Sequence, residues 1–139
     1  MISLSVFIRN WTSGKTKALD ITATNALQAA TVAGCAEDGA YAVKEVVSRK
    51  QRKYAASCEA EGLIYVPVAI DTFGSWHSLA LETIGRLSQE LARATDGELG
   101  VVCRHLRQQL AICFLQDNVA MLGARRPTFA SPEVDGAEC

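Results

Sequence analysis

Two charged residues of this sequence stand where the surrounding pattern is apolar. Asp20 lies within residues 17–24 (KALDITAT), which alternate as a half-buried strand does. Lys50 falls on the apolar stripe of a helix predicted over residues 40–61. Both charges cost desolvation energy unless a partner offsets it. In chemical terms, such a carboxylate can hold a metal ion, and such a lysine can orient water or stabilise a phosphate.

Three interpretations of Asp20 and Lys50 follow from the residue types. In the first, Lys50 neutralises Asp20 in a structural pair, or Asp20 is exposed on a solvated face. In the second, Asp20 binds Mg²⁺ and Lys50 assists a metal-dependent phosphodiesterase reaction. In the third, the two residues belong to a site for an anionic ligand. Residue types and spacing leave all three open. Because the helix packs back on the strand that precedes it, we expect the side-chain tips of Asp20 and Lys50 to lie close enough to interact.

The elements that must position these side chains are predicted in the order β–β–α–β–α–α. Strands are expected over residues 2–8, 17–24 and 63–70, with a turn at 10–15 and a loop with one helical turn at 25–39. Helices are expected over residues 40–61, 76–94 and 99–122. The predicted fold is therefore α/β: a small mixed sheet made of a β-hairpin and a parallel, right-handed β-α-β crossover, with two additional C-terminal helices.

Helical spacing predicts which side chains of the helices face inward. The stripe of residues 40–61 consists of Val43, Val47, Lys50, Tyr54 and Cys58. The inward set of residues 99–122 is Val102, Leu106, Leu110, Cys113, Phe114 and Met121. Asp71 follows the strand over residues 63–70, at the edge where sites of α/β sheets gather. It is expected either to cap the next helix or to lie beside Asp20 as a second carboxylate for the metal.

A basic patch on the first long helix permits a nucleic-acid partner. Residues 40–54 carry five bases and one acid, whereas the whole chain has a net charge of −1. We expect DNA or RNA to contact Arg49, Arg52, Lys53 and Tyr54, the alternative being a solvated face.

Composition places the chain among intracellular globular domains. With 49% hydrophobic and 21% charged residues it is one domain, predicted over residues 1–125, followed by a disordered acidic tail at 126–139. No apolar run is long enough to cross a bilayer, and residues 1–8 lack the basic region and cleavage site of a secretory signal, so secretion is not expected. Five cysteines without metal-ligand spacing favour reduced thiols, and hence the nucleus or cytoplasm.

Most of the chain, from about residue 5 to residue 125, resembles a domain at the C-terminal end of reverse-transcriptase-bearing mobile-element proteins of animal genomes. That domain has the PD-(D/E)xK restriction-endonuclease-like fold. Four segments carry the resemblance: residues 18–22 (ALDIT), Arg49-Lys50 with Tyr54 and Cys58, Gly62 before residues 65–68 (YVPV), and residues 73–76 (FGSW).

The resemblance implies roles for individual residues and also shows departures. Asp20 matches the acidic residue of the second core strand, while Thr22 stands where the family usually has lysine, so Lys50 is expected to take that place. Ser5 stands near the expected first metal-binding acid, and its neutral side chain speaks against Mg²⁺ binding and cleavage. Because the chain also begins just before this position, we expect it to be a fragment of a longer parent truncated at its N-terminus. The implied function is a retroelement-derived, nucleic-acid-associated and nuclease-like domain, Mg²⁺-dependent if active and expected to be degenerate or inactive. The alternative is a non-catalytic α/β module that binds a protein or an anion.

Overall fold

The computed structural model describes residues 3–124. Its elements are the strands β1 (Ser3–Thr12), β2 (Lys15–Thr24) and β3 (Leu63–Asp71) and the helices α1 (Val32–Glu37), α2 (Tyr41–Ala60), α3 (Ser78–Thr95) and α4 (Leu99–Ala124). The three strands form one mixed sheet in the order β1-β2-β3. The predicted α/β fold, with its hairpin, its parallel crossover and its two C-terminal helices, is confirmed. The predicted tail at residues 126–139 lies outside the described residues.

The hairpin of β1 and β2 sets the register around Asp20. The strands are antiparallel, and Ser5 is the cross-strand partner of Asp20. The turn is tighter than the sequence predicts, since only Ser13 and Gly14 separate the strands, both with positive φ (51° and 74°). A two-residue turn with positive φ at both positions matches the right-handed twist of the strands it joins.

The crossover from β2 through α2 to β3 brings a second strand beside Asp20. β2 and β3 run parallel, with Asp20 opposite Pro67 and Ala18 opposite Tyr65. β2 is the central strand, and β3 therefore lies at an edge of the described sheet, a position that tolerates the missing N–H of Pro67. Gly62 (φ 73°) makes the reversal from α2 into β3.

Two apolar layers cover the two faces of the sheet. On one face, Val43, Val46 and Val47 of α2 pack with Ala69 of β3. On the other, a cluster of strand residues packs against Ala80 of α3 and includes Leu19, Val66 and Val68, with Trp76 at its border. Within residues 3–124, no helix combines the length and the apolar character that crossing a bilayer requires.

The inward face of α4 is narrower than the sequence predicts. Val102, Leu106, Leu110 and Phe114 are half-buried, and the Phe114 ring meets Trp76 edge-on with centroids 6.0 Å apart. The prediction for Cys113 is wrong, because this side chain is exposed. The side chain of Met121 lies outside the described ones.

Candidate functional site

The predicted contact between Asp20 and Lys50 is confirmed. Nζ of Lys50 donates to both carboxylate oxygens of Asp20, at 2.8 and 2.7 Å. Both residues are buried, with 7% of Asp20 and 8% of Lys50 exposed. The contact exists because α2 packs over the sheet face on which Asp20 lies, and because Lys50 continues the stripe of Val43 and Val47.

Tyr65 is a third member of this cluster and is not predicted from the sequence. Its hydroxyl donates to Asp20 Oδ2 at 2.7 Å. Burial and the hydrogen bond to the negatively charged Asp20 carboxylate raise the pKa of Tyr65 above its ordinary value, so Tyr65 is a hydrogen-bond donor at neutral pH. The register of β2 and β3 could have indicated this contact. A tyrosine of β3 that pairs with Ala18 lies on the same face of the sheet as Asp20.

Thr22 also donates to Asp20. Its hydroxyl donates to Oδ1 of Asp20 at 3.4 Å, and the whole side chain is buried. The resemblance predicts that Thr22 stands at the position where the family usually has lysine, and this correspondence stays a prediction. The cation next to the carboxylate comes from α2 and not from β2.

An open groove of about 310 Å³ runs beside this cluster. It is lined by Ser5, Phe7, Ala18, Leu19, Asp20, Tyr54, Cys58, Glu61, Leu63 and Tyr65. The groove exists because α2 packs over β3 and less over β2, which leaves Ser5 and Phe7 of β1 exposed.

The predicted burial of the α2 stripe is wrong beyond Lys50, because the stripe residues there line the open groove. Tyr54 is 38% exposed and Cys58 is half-buried, so the stripe leaves the core within one turn of Lys50. The Tyr54 ring contacts the Tyr65 ring with centroids 5.8 Å apart. Phe7, on the opposite wall, is 62% exposed. Three aromatic rings therefore line one groove, a feature that the sequence prediction missed.

The predicted nucleic-acid contacts of α2 lie together on its surface. Arg49, Arg52 and Lys53 are exposed, and at 100° per residue they fall within an arc of about 100°. Nζ of Lys53 lies 5.0 Å from the centre of the Tyr54 ring, so this basic arc meets the groove at Tyr54. Glu61 adds one acidic group to the lining of the groove.

Asp71 does not lie beside Asp20. It pairs with Thr24, four register positions beyond the pair of Asp20 and Pro67, a separation of about 13 Å along the strands. Asp71 Oδ1 accepts the backbone N–H groups of Phe73 and Ser75, both at 2.9 Å, and so organises its own loop.

The expectation that Asp71 caps the following helix is also wrong. The cap of α3 is His77, whose Nδ1 accepts the N–H of Leu79 at 3.2 Å. Burial lowers the pKa of His77, and the positive charge of Lys44 lowers it further.

The donors around Asp20 bear on the predicted Mg²⁺ site. Mg²⁺ is held in proteins through carboxylate oxygens and water. The groove lining contains the carboxylates of Asp20 and Glu61, and both oxygens of Asp20 already accept from Lys50. In the part of the chain that the structure describes, no group of three or more His, Cys, Asp or Glu residues is placed to hold a metal ion. Mg²⁺ binding stays a prediction, and this donor set does not fit it.

No protein-family model, curated protein or solved structure matches this chain.

Proposed function

We propose that this chain is a nuclease-like, nucleic-acid-associated domain of retroelement origin that binds nucleic acid and does not cleave it efficiently. The observation that carries the proposal is the groove beside the Asp20–Lys50 pair, which is open to solvent and meets the basic arc of α2 at Tyr54. A groove filled by side chains would have favoured a purely structural pair.

The lining of the groove suits unpaired bases. Aromatic side chains beside cations bind single-stranded nucleic acid, since every base can stack on a ring and every phosphate can meet a cation. Phe7 and Tyr54 supply exposed rings, and Arg49, Arg52 and Lys53 supply the charges. The substrate class we propose is therefore a single strand, or the frayed end of a duplex.

The Asp20 cluster explains why cleavage is not expected. Metal-assisted cleavage needs carboxylates that concentrate the ion and position a water molecule. Asp20 instead accepts hydrogen bonds from Lys50, Tyr65 and Thr22, and its cross-strand partner is the neutral Ser5. The same cluster favours the second candidate, a non-catalytic module in which the pair is structural and the groove binds a protein or an anion.

The compartment we propose is the nucleus or the cytoplasm. Cys35, Cys58, Cys103 and Cys113 are free thiols, as expected in a reducing environment.

Fluorescence anisotropy of labelled single-stranded DNA, single-stranded RNA and duplex DNA tests the proposal. We expect the single strands to bind more tightly than the duplex. Replacing Arg49, Arg52 and Lys53 by Gln should flatten the salt dependence by about two in the slope of log K against log salt. The matched control replaces three other exposed arginines by Gln, namely Arg93 of α3 and Arg104 and Arg107 of α4.

A second pair of variants tests the groove itself. Phe7→Ser should weaken binding about five- to 150-fold, the range for losing one stacked base. Phe73→Ser is the control, because Phe73 is 68% exposed but lies in the loop after β3 and not in the groove. No binding at low salt, or equal losses from Phe7→Ser and Phe73→Ser, would overturn the proposal in favour of the second candidate.

A further inference from the structure

α4 carries a second apolar stripe on the side that faces away from the domain. Its positions are Val101, His105, Gln108, Ile112, Leu115 and Val119, at steps of four, three, four, three and four. All six are exposed, the four apolar ones by 52%, 47%, 60% and 67% in chain order. At 100° per residue, this stripe lies nearly opposite the half-buried face of Leu106 and Leu110.

The spacing of the stripe is that of a coiled coil. Alternating steps of three and four give a mean period of 3.5 residues, which keeps one straight seam against a partner helix. In heptad notation, His105, Ile112 and Val119 occupy the a positions, and Val101, Gln108 and Leu115 occupy the d positions. β-Branched residues at a with leucine at d favour parallel two-stranded coiled coils, which describes the part from Ile112 to Val119.

We propose that α4 pairs in parallel with α4 of a second copy of this chain. Parallel pairing places each residue of the stripe against the same residue of the second copy. Ile112, Leu115 and Val119 therefore pack as three layers of identical side chains. Parallel pairing also places Gln108 against Gln108, where the two amides can hydrogen-bond with each other. Because the stripe faces away from the domain, the two domains lie on the outer sides of the helix pair and do not collide.

The size of the stripe predicts a weak dimer. From Val101 to Val119 it is about 27 Å long and about one helix diameter wide, so two copies bury on the order of 600 Å². Standard stable interfaces bury about 1,600 Å². We therefore expect a dissociation constant in the micromolar range and an oligomeric state that depends on concentration.

Sedimentation velocity of the full chain from about 1 to 200 µM, on both sides of that range, is the test. We expect conversion from monomer to dimer. Leu115→Glu should weaken the dimer at least about tenfold, because it places two carboxylates against each other in the seam. Leu27→Glu is the matched control, since Leu27 is 64% exposed and lies between β2 and α1. Both leucines are exposed, so neither variant should unfold the domain, which thermal unfolding verifies.

Two further variants test the parallel arrangement. Gln108→Leu should strengthen the dimer, because it replaces the polar layer with an apolar one. Val119→Cys should form an intermolecular disulfide on mild oxidation, beyond the background of the native chain and of Leu27→Cys, because only parallel pairing brings the two 119 positions together.

Several outcomes would overturn the proposal. A monomer throughout the concentration range would show that α4 does not pair with a second copy of itself. A dimer that Leu115→Glu leaves intact would place the interface elsewhere. A dimer that Leu115→Glu weakens but Val119→Cys does not cross-link would overturn the parallel arrangement.

Discussion

Two lysines of this domain are equally buried on opposite faces of the sheet and are held in different ways. Lys17 is 9% exposed and Lys50 is 8% exposed. Lys50 donates to the carboxylate of Asp20, whereas Nζ of Lys17 lies 5.1 Å from the centre of the Trp11 ring. Arg86 lies over the same ring at 5.3 Å, so Lys17 has a cation for a neighbour.

The electrostatic consequence follows from the neighbours. Burial lowers the pKa of Lys17, the charge of Arg86 lowers it further, and Glu82 partly opposes both. The site of Lys17 makes a weaker demand on its side chain, since an aromatic ring attracts any cation above its face. The site of Lys50, in contrast, requires a positive charge, because the ammonium group of Lys50 pairs with the carboxylate of Asp20 on another element. Loss of the Lys50 charge should therefore lower the free energy of unfolding more than loss of the Lys17 charge.

The largest effect is expected from Lys50→Met. The substitution leaves Asp20 buried without its cation, and removing one partner of a buried ion pair costs about 3–5 kcal/mol. Urea denaturation measures the free energy of unfolding. Lys44→Met is the control, since Lys44 pairs with Asp38 at the surface, and its effect should be much smaller.

The double variant Asp20→Asn with Lys50→Met sharpens this result. Removing both charges should cost less than the sum of the single substitutions, because no unpaired charge is left in the core. Additive losses would show that the two residues act independently, against the geometry of the pair.

Tyr65→Phe should have the next largest effect. It removes the hydroxyl that donates to Asp20 and keeps the ring, and a hydrogen bond to a charged group contributes about 1.5–3 kcal/mol. Tyr54→Phe is the matched control in the neighbouring ring of the same groove. Equal unfolding free energies for the two variants would contradict the assignment of Tyr65 to the Asp20 cluster.

Lys17→Met should change stability little at neutral pH, by less than about 1 kcal/mol, because the lost cation–π contact is offset by relief of desolvation. The pKa of Lys17 is lowered in the fold, so the unfolded chain binds more protons below the ordinary pKa of lysine. The native chain should therefore gain stability relative to Lys17→Met between about pH 7 and pH 10. Chemical denaturation at both values measures this difference, and a constant difference would contradict the lowered pKa.

The smallest effect concerns His77, whose pKa is also lowered by burial. Because the unfolded state binds the proton more tightly, stability should fall as the pH drops through the ordinary histidine pKa of about 6.5. Protonation also removes the Nδ1 acceptor that caps α3. His77→Asn keeps a capping acceptor without the titration and should lessen this loss. His105→Asn, exposed on α4, is the control for losing a histidine, measured at a concentration at which the chain is monomeric because His105 lies in the proposed α4 seam. A pH profile unchanged by His77→Asn would contradict a lowered pKa of His77.

The sequence predicts the Asp20–Lys50 contact because a right-handed crossover packs its helix directly on the strand before it. It does not predict Tyr65, since the pairing of Tyr65 with Ala18 depends on the register of two strands separated by α2. Helical spacing predicts that Tyr54 is buried, yet spacing alone does not tell how many strands one helix covers. The open face of β1 therefore appears only in three dimensions, and with it the groove.

Nicking of supercoiled plasmid in Mg²⁺ and in Mn²⁺ tests the central claim most directly. The native chain, Asp20→Ala, Lys50→Ala and Ser5→Asp are compared under the same conditions. Ser5→Asp is informative because Ser5 is the cross-strand partner of Asp20, so a new carboxylate there lies about 5 Å away between Cβ atoms. We expect no nicking by the native chain above buffer, and a gain in Ser5→Asp would support the loss of a metal ligand. Robust nicking by the native chain that Asp20→Ala abolishes would contradict this expectation.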